Sequence, residues 1–133
     1  MKDHYVFPAI VSSSNPGYSV TFPDLPGCVS GSDTTAEEAL QAAKEGLSLH
    51  LWGMEDDGDP IPDPSPIESI ALETGEAIAL IDVWMVPIRD EMANRSVNKT
   101  LTLPRWLDKA AAAADVNYSQ VLQAALKAQL GIQ

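Results

Sequence analysis

The sequence holds a single cysteine, Cys28, so no disulfide can close within the chain. That fits a reducing compartment. Its two histidines, His4 and His50, are distant from each other and from Cys28. Such a set is too sparse for a metal-site motif, and no cofactor is expected. Basic residues are also scarce: 8 Lys and Arg face 19 Asp and Glu, a formal net charge of −11. Taken whole, a chain of that charge repels phosphates and binds nucleic acid poorly. No apolar run reaches the length a membrane span needs. The N-terminal run is short, broken by Pro8 and preceded by Asp3, unlike a signal peptide. A soluble, cytoplasmic protein with no membrane partner is the expectation.

What is present is a modest core and an uneven charge. The 133 residues suffice for one ordinary domain or two small ones, and 45% are apolar. Residues 1–96 carry four bases (Lys2, Lys44, Arg89, Arg95) against 17 acids, a net of −13. Residues 97–133 carry Lys99, Arg105, Lys109 and Lys127 against Asp108 and Asp115, a net of +2. Such asymmetry predicts two units with different partners.

The front unit is organised around Thr21–Leu40, TFPDLPGCVSGSDTTAEEAL. Before it, Tyr5–Val11 is a compact β-branched and aromatic run. Tyr18, Val20 and Phe22 alternate with Ser19 and Thr21, the period of a half-buried strand. The Ser12–Gly17 cluster between them makes an antiparallel hairpin the default. Pro23–Gly27 forms a stiff turn, and Cys28–Ser30 is a short third strand ended by Gly31 and Ser32. Thr34 and Glu37 have capping-box spacing for a helix over about 35–52, with Gly53 as its stop. Its apolar positions are Ala36, Leu40, Ala43, Leu47 and Leu51. Met54–Pro66 is an acidic, proline-rich loop, and Ser65, Pro66 and Glu68 suit one short helical turn. Ala77–Val86, AIALIDVWMV, is apolar on both alternating sets apart from Asp82, which predicts a strand that is central or covered on both faces. The order is β-β-β-α-β, a small sheet with one helix on a face, and Pro87–Ser96 is a linker.

The tail reads as strand, helix, helix. Val97–Leu103 is an isolated strand signal. Pro104 opens a helix whose apolar face holds Trp106, Leu107, Ala110, Ala111 and Ala114. Asp115–Asn117 turn the chain, Asn117 with Gln120 caps a last helix bearing Val121, Leu122, Ala125, Leu126 and Leu130, and Gly131 ends it. A lone strand leaves its backbone groups unpaired, and a second copy is the simplest remedy.

This tail, LTLPRWL followed by NYSQVLQAALKAQLG, resembles the ribbon-helix-helix module of small bacterial repressors. The resemblance implies that two chains pair their strands and present the ribbon to the major groove. Leu101 and Leu103 belong to the core set, while Asn98, Thr100 and Thr102 point at base edges. Lys99 departs from an apolar core set and turns toward phosphate. Asn117, Tyr118 and Ser119 begin the last helix, where backbone amides suit a phosphate.

The front unit, with its turn–strand–cap signature, acidic PIPDPS loop and strong last strand, is similar to the HicB-type antitoxin family over residues 5–86. The resemblance implies an α+β fold with a partial ribonuclease-H-like front domain over 1–86, a linker over 87–96 and a ribbon-helix-helix domain over 97–133. It implies a HicA-type toxin that cleaves messenger RNA as partner and operator DNA as the second partner; the tail's lone strand points to a homodimer, and uncovered sheet edges in the front unit suit a pairing of dimers. The −13 front charge agrees with a basic partner. Asp24, Glu37 and Glu38 are the candidate toxin-facing charges.

Catalysis is not expected. A ribonuclease-H-type nuclease needs carboxylates converging on two metal ions, and no spacing gathers Asp24, Asp33 and Asp82. Asp33 belongs in the helix-entry turn, and Asp82 at an edge or facing a partner. Cys28 reads as a small buried apolar residue, His50 as a residue near the C-terminal end of the helix, and Trp52 and Trp84 as core. Two other readings compete: a ribbon-helix-helix repressor whose front domain senses a small molecule, and a binding module without DNA activity.

Overall fold

The computed structural model describes residues 1–32 and 34–132. Asp33, expected in the helix-entry turn, lies outside the described residues. The chain divides into two compact units, Met1–Arg95 and Ser96–Gln133.

In the first unit, β1 (His4–Ser13), β2 (Tyr18–Thr21) and β3 (Val29–Ser32) are followed by α1 (Ala36–Asp57), a single 3-10 turn (Ile67–Ser69), β4 (Glu76–Trp84) and α2 (Met85–Ala93). The strands form one antiparallel sheet in the order β3-β2-β1-β4. The period of two sorts each strand cleanly. Tyr5, Phe7 and Ala9 of β1 stand beside Val83, Ile81 and Ala79 of β4 and face inward. Against them α1 lays Ala39, Ala43, Leu47 and Leu51, all fully buried. Phe22, Leu25 and Cys28 complete this core, so the Pro-Asp-Leu-Pro-Gly turn supplies a buried leucine as well as a bend.

Several expectations need correction. The helix cap is Thr35, whose hydroxyl accepts from the Glu38 amide at 3.2 Å, one residue later than the Thr34–Glu37 pair. The spacing is the same, and the shift buries Ala39 while leaving Ala36 exposed. Gly53 does not stop α1, which runs on to Asp57 and ends at Gly58 with φ 74°. The additional turn packs Met54 on the core and brings Glu55 to Arg89, which offsets a mid-helix glycine's cost of about 1 kcal/mol. The strand over Ala77–Val86 is not central: β4 pairs only with β1, at the sheet's edge, and α1 covers one of its faces. Residues expected as the 87–96 linker largely belong to α2. Pro87 sits in its first turn, where a missing N–H costs nothing, and buried Met85 fixes its start. The third strand also shifts, to Val29–Ser32, with Gly31 inside it.

In the second unit, α3 (Arg105–Ala113) and α4 (Tyr118–Leu130) are joined by a turn in which Asp115 has φ 55°. Asn117 caps α4 by accepting from the Gln120 amide at 3.1 Å, and Gly131 closes it. The expected strand over Val97–Leu103 is not formed in the single chain: these residues have no ladder partner among the described residues. A strand exists only through hydrogen bonds to a neighbour, and one copy supplies none here.

Candidate functional site

The sheet has a second face, opposite α1. It is made of His4, Val6, Pro8 and Ile10 of β1, Ser19 and Thr21 of β2, Val29 of β3, and Ile78, Leu80, Asp82 and Trp84 of β4. Trp84 is 56% exposed and Leu80 59%, so the expectation that Trp84 is core is overturned; Trp52, half-buried, does pack against the core. The alternation in AIALIDVW held the signal for this. Asp82 falls in the set with Leu80 and Trp84, and a carboxylate marks the wet face. Its oxygens meet His4 Nε2 at 3.4 Å and Lys44 Nζ at 3.7 Å. The hydrogen bond from His4, then the charge of Lys44, hold its pKa below the ordinary carboxylate value.

The three acids expected to face a toxin have different surroundings. Asp24 is half-buried and accepts from both the amide (3.0 Å) and the hydroxyl of Ser65, tying the stiff turn to the acidic loop. Glu38 accepts from the hydroxyls of Thr34 and Ser32 beside the helix cap. Glu37 is exposed in the first turn of α1 and has no hydrogen-bond partner among the described residues. Glu37 and Glu38 are thus adjacent on α1, and Asp24 is committed to an internal bond.

An ion-pair cluster had no local signal in the sequence. Arg89 of α2 donates to both carboxylate oxygens of Glu55 (2.9 and 2.8 Å), to Asp3 (2.6 Å) and to the carbonyl of Lys2. Those bonds, Glu55 first and then Asp3, raise the pKa of Arg89 further. The cluster joins the start of β1, the end of α1 and α2. Burial alone pushes the Cys28 thiol above its ordinary value. Among the described residues, no group of three or more His, Cys, Asp or Glu is placed to hold a metal ion. No helix among them is long and apolar enough to cross a membrane.

The second unit turns its apolar groups outward. None of its described residues is fully buried, and Val97, Leu101, Leu103, Trp106, Val121 and Leu130 are exposed. A groove of about 520 Å³ runs between the extended segment and the helices, lined by Leu101, Leu103, Leu107, Val116, Leu122 and Ala125 among others. Asn98, Lys99, Thr100 and Thr102 lie exposed along 97–103. Asn117, Tyr118 and Ser119 gather at the start of α4, where the Tyr118 hydroxyl donates to the Asp108 carboxylate of α3 at 2.9 Å. That bond raises the phenol's pKa.

The chain thus has two parts, a four-stranded sheet backed by one long helix and a helical unit whose apolar side chains are exposed. Residues 7–126 match the family model described as HicB-like antitoxin of bacterial toxin-antitoxin system, and the chain belongs to that family. Over 63 residues it is 43% identical to an uncharacterized 14.9 kDa protein in the rep-hol intergenic region of Haemophilus phage HP1. That alignment spans 47% of this chain and 47% of the relative, about half of each. The fold is similar to a chain of a toxin-antitoxin complex from Streptococcus pneumoniae (TM-score 0.60, 23% identity, 95% of this chain and 99% of that one). It is also similar to the Burkholderia pseudomallei antitoxin HicB (TM-score 0.54, 23% identity, 93% and 98%).

Proposed function

We propose that this chain is an antitoxin that binds and neutralises a HicA-type, messenger-RNA-cleaving toxin, and that its second unit pairs with another copy to repress its own operon. The first half rests on the family match over residues 7–126 and on the net charge of −13 in residues 1–96. That charge would steer a basic partner into contact. The toxin-binding part is assigned to residues 1–86 and the DNA-binding part to residues 97–133; the division of the chain into two compact units supports two separate parts.

The observation that carries the second half is the lack of any fully buried residue among those described in the second unit. A unit of this size cannot stabilise itself with most of its leucines exposed to water. A second copy supplies both the missing core and the missing strand partner. Val97, Leu101 and Leu103 then turn inward, and Asn98, Thr100 and Thr102 project from a two-stranded ribbon toward base edges. Lys99 and the α4 amides at Asn117, Tyr118 and Ser119 take phosphates.

Two measurements test the reading. The purified chain, mixed with the toxin encoded beside it, should abolish RNA cleavage at equimolar ratio; undiminished cleavage at saturating chain refutes the antitoxin role. Mobility shift on the upstream promoter should show binding that falls steeply with salt. Thr100→Ala should weaken that binding and relax its sequence preference, by about 1–3 kcal/mol if the threonine reads a base. Equal affinity for promoter and random DNA would refute operator reading.

A further inference from the structure

We propose that the outer face of the sheet, centred on Leu80, Trp84 and Val6, is the docking surface for a basic protein partner. The inference deepens the antitoxin reading and rests on it: it names the face by which the toxin is held. Leu80, Trp84 and Val6 are 59%, 56% and 38% exposed, and they neighbour one another across the β1–β4 pairing. Pro8, opposite Leu80, is fully buried and Ile10 and Ile78 are half-buried, so the exposed apolar surface is the Val6, Leu80 and Trp84 end of this face. Contiguous exposed apolar surface of this kind marks interaction sites. An exposed tryptophan with aliphatic neighbours has the composition of an interface anchor.

Charge decides which partner fits. The outward positions of the four strands carry two carboxylates, Glu76 and Asp82, and no lysine or arginine. Glu76 is occupied, accepting from the Ser12 hydroxyl at 3.0 Å and the Glu73 amide at 2.8 Å. Asp82 keeps a side chain that is 61% exposed beside Leu80 and Trp84, held by long contacts to His4 and Lys44. A second copy seated here would set two strongly acidic units against each other, with no lysine or arginine at the outward strand positions of either. A partner with an apolar ridge flanked by arginine or lysine meets both requirements, since its cation finds Asp82 at the rim.

The test is calorimetric titration of the full chain with the purified toxin from the adjacent reading frame. It compares the wild type with Leu80→Ser/Trp84→Ser and with the near-isosteric Val6→Thr, each checked by thermal melting. Trp84 and Leu80 lie outside the core, so both variants should melt close to wild type. The double variant is expected to bind at least tenfold more weakly and Val6→Thr several-fold more weakly. Glu45→Gln, on exposed α1, should bind as wild type does. Toxin binding within twofold of wild type in both face variants overturns the docking surface and leaves the antitoxin reading intact. Absence of binding by the wild type overturns both. A change in the free chain's association state in the face variants, with toxin affinity unchanged, assigns the face to self-association and overturns the proposal.

Discussion

Arg89 shows how much of this molecule is decided by single side chains. Its side chain is 23% exposed, and that of its partner Glu55 only 7%. Removing the arginine strands a buried carboxylate. Arg89→Ala is expected to cost about 2–3 kcal/mol, short of the range for a fully buried pair because Arg89 keeps part of its surface in water. Urea unfolding of the full chain measures it. Cys28 gives a second residue-level expectation. Its folded pKa lies above the ordinary thiol value of 9.0. The stabilisation this represents is complete below pH 9 and is lost as pH rises toward the folded pKa, because the unfolded thiol ionises first. The native thiol should therefore react slowly with iodoacetamide at pH 8 and at normal rate in urea. Equal rates in both would contradict its burial. Cys28 was legible as a buried apolar residue because its small size and place between an apolar turn and the next strand suffice. Arg89 was not, because its partners lie far away in sequence, at Glu55, Asp3 and Lys2, and no local pattern links them.

At the scale of elements, the glycines separate local from long-range information. A Cβ on Gly53 meets nothing within 4 Å, and the residue sits inside α1. Gly53→Ala should raise stability by up to about 1 kcal/mol, read as a higher melting temperature. A Cβ on Gly31 would stand 2.7 Å from the carbonyl oxygen of Tyr18. Gly31→Ala should destabilise the β2–β3 pairing by about 1–3 kcal/mol, and amide exchange in β3 should quicken. The start of α1 to within one residue, the Asn117 cap and the β1–β2 hairpin were readable because their determinants sit within a few residues, whereas α2 was not. The edge position of β4 was not. It depends on which side of β1 the chain returns to after the long loop, and an apolar run looks the same at an edge as at the centre. The length of α1 was likewise set by partners outside it.

At the scale of the whole molecule, the charge division between residues 1–96 and 97–133 is plain in the order of the amino acids, and it tracks the two compact units. The open sheet face was signalled only by Asp82 in the alternation of β4, because composition does not tell how many layers cover a sheet. If the second unit gains its core from another copy, its melting should depend on protein concentration, rising by several degrees over a hundredfold range while the first unit's does not. Differential scanning calorimetry of the full chain at two concentrations checks this. The absence of a private core then has a consequence in bookkeeping of copies rather than of contacts. Dilution acts on the second unit as a denaturant does, and below the pairing concentration α3 and α4 become substrates for any protease at hand. Scarcity would thus shorten the chain's own lifetime, so that abundance is measured by the fold itself.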